Sequence, residues 1–61
     1  MKITTKFDTE RGLWIVSVGD NLFFSFEEDF WAEEFATDAM AYYNGSRLHF
    51  PVYRMYRTEA K

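Results

Sequence analysis

Residues 13–18, Leu-Trp-Ile-Val-Ser-Val, put apolar side chains on both faces of an extended chain: Trp14, Val16 and Val18 on one, Leu13 and Ile15 beside Ser17 on the other. β-branched residues fit the pleated backbone, and a strand apolar on both sides belongs inside a sheet. The rest of the chain must be arranged around that inner strand.

Residues 2–7 supply a neighbour. Ile3, Thr5 and Phe7 alternate with Lys2, Thr4 and Lys6, the period of a half-buried strand, and Thr9 to Gly12 supplies the turn between the two. Gly19-Asp20-Asn21 is a second turn, after which residues 22–25 form either a third short strand or an extended approach to a helix. Ser25 followed by Glu28 has the spacing of a capping box, so a helix is expected over 26–43. Asn44-Gly45 is its stop, because glycine accepts the left-handed conformation there at little cost. On a helical wheel Trp31, Ala32, Phe35, Ala36, Ala39, Tyr42 and Tyr43 share one side, while Glu27, Glu33, Glu34, Thr37 and Asp38 gather opposite. A final alternating stretch predicts a strand over 51–57, and the last residues read as a frayed tail. The expectation is α+β, one domain over residues 1–61: a small antiparallel sheet of three or four strands in the order β-β-(β)-α-β, with one amphipathic helix on one face. This order is similar to that of the sheet-and-helix domain of HicB-type antitoxins and of small phage proteins that inhibit host enzymes. No residue motif of either group accompanies the order, so it assigns no family.

A 61-residue chain buries only about 60% of its unfolded surface, and this one has no cysteine to cross-link it. Its 21% aromatic content is the substitute, since each ring buries on the order of 150–250 Å². A single histidine, His49, without thiols makes no structural zinc site and reads as a loop residue. No apolar run reaches the roughly 18 residues of a membrane span, and the N-terminus lacks the apolar region of a secretory signal, so a cytoplasmic chain is expected.

Residues 1–40 carry three bases against nine acids, and residues 41–61 four bases against one. Such segregation bears on partners rather than on fold. Acids in a first helical turn complement the helix dipole, which accounts for Glu27, Glu28 and Asp29. Glu33, Glu34 and Asp38 lie beyond that turn, and residues 12–46 contain no lysine or arginine to relieve them. They are either a solvated face or an acidic ridge for a basic partner, with Glu27, Phe30, Glu33, Glu34 and Asp38 as its candidate contacts. These acids lack the spacing and glycine of a calcium loop, and one helix face makes no cleft for paired carboxylates. No nucleophile–base pair, phosphate loop or redox motif is present, so neither enzymatic activity nor a cofactor is expected.

One helix covers one face of a sheet, and the other face must meet water or a partner. With Ile3, Phe7, Trp14, Val16, Val18, Tyr53 and Met55 under the helix, Leu13, Ile15, Arg54 and Tyr56 become candidates for a partner-binding open face, with Lys2, Lys6 and Val52 beside them. These features predict a non-enzymatic protein-binding module, a small acidic inhibitor or regulatory accessory protein of a size that suits a phage or mobile element. Its partner would be another protein, with a nucleic-acid-processing enzyme or effector complex, contacted by phosphate-mimicking acids, as the specific form. Two alternatives stand beside it: nucleic-acid binding by the basic, aromatic C-terminal strand, which an isoelectric point near 4.9 disfavours, and a homo-oligomer held by the open face.

Overall fold

The computed structural model describes residues 2–53 and, by backbone alone, residues 57–60. Strands β1 (Ile3–Asp8), β2 (Leu13–Val18) and β3 (Leu22–Phe26) form an antiparallel meander, and one helix, α1 (Asp29–Tyr43), lies across one face, an α+β arrangement. The twice-apolar segment is β2, flanked by β1 and β3. Ile3 pairs with Val18, Thr5 with Val16 and Phe7 with Trp14; on the other side Trp14 pairs with Phe26 and Val16 with Phe24. Four further residues, Arg57–Ala60 (β4), are extended antiparallel to β3, with Arg57 opposite Ser25.

The turn between β1 and β2 is built by Asp8. Its Oδ1 accepts the backbone N–H groups of Glu10 and Arg11, and its carbonyl accepts that of Gly12, whose φ of 66° is the left-handed conformation the closing position needs. The helix ends in the same currency. Gly45, at φ 89°, donates to the Tyr42 carbonyl and Ser46 to that of Ala41, the paired bonds of a Schellman stop.

The core lies between sheet and helix and is mostly rings. Val16, Val18, Phe24 and Phe26 rise from the sheet to meet Ala32, Phe35 and Ala39 of α1, all buried. Alanines at the contact let the helix settle close to the strands, and Phe35 fills the middle, its centroid 4.6 Å from Phe24 and 5.3 Å from Phe26. After the helix the chain returns alongside it, bringing Phe50 and Tyr53 onto Phe35 from the side at 5.8 and 5.4 Å, edge to face.

Two boundaries differ from the sequence reading. The helix begins at Asp29, not at residue 26, and its N-cap is Glu28, which makes no side-chain capping bond. Ser25 is not a cap: it stays in β3 opposite Ile15, because Phe24 and Phe26 are both core rings and their alternation holds the strand extended to Phe26. The strand expected over 51–57 is also displaced. Pro51 to Tyr53 carry no strand pairing, the extended residues are Arg57–Ala60, and residues 54–56 lie outside the described residues. The buried Pro51 and the inward Tyr53 serve the core beside the helix rather than a ladder.

Candidate functional site

The seven candidate residues that the structure describes lie in two separate places, Leu13 and Ile15 on the sheet and the other five in or just before the helix. Register puts Ile3, Thr5, Phe7, Trp14, Val16 and Val18 on the helix side of the sheet and Leu13, Ile15 and Phe23 on the other. No described element covers that second face.

Leu13, Ile15 and Phe23 are each half-buried there. Thr4, Lys6 and Ser17 sit among them and Asp8, Thr9 and Glu10 rise at one end, enclosing a shallow cavity of about 370 Å³ whose floor includes Ile15 and Phe23. Ser25, also on this face, is 2% exposed, and its hydroxyl has no hydrogen-bond partner among the described residues. The other two open-face candidates, Arg54 and Tyr56, lie outside the described residues. Val52, expected here, is instead 83% exposed on the returning segment.

The acidic surface is smaller than the helical wheel suggests. Glu27 lies in the bend before α1, so it is not a helical ridge residue. Glu33 and Glu34 are exposed on the helix, and Phe30, 51% exposed, leans on Trp31 with centroids 5.0 Å apart. Asp38 is committed elsewhere: its Oδ2 accepts the Tyr53 hydroxyl at 2.5 Å and pairs with Arg47 at 3.0 Å. Both partners come from the chain after the helix, which is why no base within the helix is needed. Burial and the hydrogen bond to Asp38 hold the Tyr53 phenol well above its ordinary range, with Asp38 and Glu34 charge adding to the effect. Asp38 is therefore a tie between α1 and the returning segment, and the candidate acids that stay exposed are Glu27, Glu33 and Glu34.

Sequence reasoning missed Phe23. Its signal was the alternation Phe23/Phe24 in residues 22–26, readable once that segment is a strand. Leu48, 90% exposed, has no periodic signal at all.

Carboxylates spread over an outer helix face and a bend do not converge on one point, and among the described residues no three potential metal ligands cluster. No described helix is long and apolar enough to cross a membrane. The chain matches no protein-family model, no curated protein and no solved structure.

Proposed function

We propose that this chain is a non-enzymatic protein-binding module, a small acidic inhibitor or regulatory accessory protein, that docks through the open face of its sheet. The observation that carries this is the sheet face opposite the helix, which no described element covers, where Leu13 and Ile15 lie half-buried and Ile15 lines a shallow cavity. Contiguous apolar surface on a chain this small is costly to leave in water and favourable to bury against a partner. Polar side chains at its margin, Lys6, Asp8 and Glu10, supply the charged rim that fixes orientation.

The acids on the far side act differently. Glu27, Glu33 and Glu34 give that side a negative field that speeds encounter with a basic protein. In the more specific form, the partner is a nucleic-acid-processing enzyme or effector and these acids stand where phosphates would. A fourth strand formed by Arg57–Ala60 completes the sheet in this reading and widens the open face at the register positions of Arg57 and Glu59.

Affinity capture from a lysate treated with nuclease, compared between the native chain and folded variants, tests it. Ile15→Lys should lose the captured protein. Glu33→Lys/Glu34→Lys should slow association and flatten its salt dependence, or abolish binding if the acids are phosphate mimics. A captured protein that Ile15→Lys leaves untouched overturns docking by the open face.

A further inference from the structure

We infer that the outer edge of β1 pairs with the same edge of a second copy of this chain, antiparallel, with Thr5 opposite Thr5, so that two sheets become one. This concerns the edge of the sheet rather than the apolar residues of its open face, with Lys6 and Asp8 at the border of both.

β1 is the outermost strand, and no described element lies along its outer edge. Gly19 donates its N–H to the Lys2 carbonyl at 2.9 Å, which sets the phase of the ladder. In an antiparallel pair the bonded residues alternate, so the even positions of β1 bond β2, while Ile3, Thr5 and Phe7 turn their N–H and C=O groups outward. Natural edges are usually blunted by proline, a bulge or an uncompensated charge. β1 has six residues with no proline, and no residue in it has positive φ.

The sequence of this edge is complementary to itself in one register. Centred on Thr5, the pairing sets Ile3 against Phe7 on the helix side, where Phe7 is 41% exposed, and both pairs exchange backbone bonds through their outward groups. On the open side it sets Lys2 against Asp8, opposite charges facing each other, and Thr4 against Lys6, which leaves that lysine opposite a neutral side chain. The neighbouring registers fail on the same residues. Centring on Thr4 places Lys2 against Lys6, and centring on Lys6 places that lysine against itself, like charges directly opposed. The lysines that would repel a foreign strand therefore select this one alignment, and the twofold closes the assembly because each copy offers a single such edge.

Sedimentation equilibrium across a concentration series reads the outcome. The native chain should approach twice its 7.3 kDa mass. Thr5→Pro removes an N–H that β2 does not use, so far-UV circular dichroism and the thermal transition should persist while the mass falls to that of a monomer. Lys2→Glu, which opposes two acids, should weaken the dimer about tenfold and decides the matter if Thr5→Pro does not fold. Ile15→Lys should leave this dimer intact, which separates it from failure or success of the open-face docking. A native chain that stays monomeric to millimolar concentration overturns the inference, as does a dissociation constant unchanged in either folded edge variant.

Discussion

On a helical wheel Asp38 stands with Glu33 and Glu34, yet in the folded chain it accepts a hydrogen bond from Tyr53 and an ion pair from Arg47. The difference is long range: both partners arrive from a segment whose path no local periodicity encodes. Tyr53→Phe should cost about 1 kcal/mol of unfolding free energy, a hydrogen bond to a partly exposed carboxylate. It should also change the alkaline limb of stability. A phenol whose folded pKa is raised above its ordinary 10.0 contributes stability that is complete below that pH and is lost as pH rises beyond it. Chemical denaturation between neutral pH and pH values above the ordinary phenol range should show a decline in the native chain that is shallower in Tyr53→Phe. Ser25 carries the opposite lesson. The spacing to Glu28 signals a cap, whose loss would cost about 1 kcal/mol, but the hydroxyl is buried in β3 without a described partner. Ser25→Ala is accordingly expected to leave the thermal midpoint unchanged or raise it.

Among the elements, β1 and β2 were legible because each shows its two faces in its own residues. β2, apolar on both, announces an inner position; β1, alternating, announces a strand, though of its expected inward residues only Ile3 is half-buried and Thr5 and Phe7 stay exposed at the sheet edge. The helix interior was legible for the same reason, its alanines and rings falling on one side, and so was its Gly45 stop. Its beginning was not. Residues 22–26 carry strand alternation and a capping pattern at once, and tertiary burial of Phe24 and Phe26 settles the competition for the strand. The returning segment reads as a strand because residues 52–57, Val-Tyr-Arg-Met-Tyr-Arg, show an alternating pattern, while the rings that hold Tyr53, Trp31 and Phe35, belong to the helix. Close approach of α1 to the sheet depends on alanine at 32 and 39. Ala39→Leu should destabilise by about 1–3 kcal/mol through overpacking, and Phe35→Ala by about 3–5 kcal/mol, read from urea midpoints. A domain of this length has only several kcal/mol to lose, so Phe35→Ala should be substantially unfolded at room temperature.

For the whole molecule, the segregation of charge along the chain does not become a simple dipole. Asp8 and Glu10 go to the end of the open face, Glu33 and Glu34 to the opposite side, and Arg47 folds back onto the helix. Which side of the sheet each described candidate occupies followed only from register and from where the helix lies. In the proposed function, the apolar open face and the distant acidic helix would give a partner two different kinds of contact, one governing dissociation and the other the rate of encounter. The decisive measurement is the binding kinetics of the captured protein to the native chain, to Ile15→Lys and to Glu33→Lys/Glu34→Lys, each confirmed folded, over a range of salt. Docking by the open face predicts binding lost in Ile15→Lys and, for the charge-reversed helix, slower association with dissociation little changed. Full affinity in Ile15→Lys, with binding lost only on charge reversal, would contradict it and move the contact to the acidic helix.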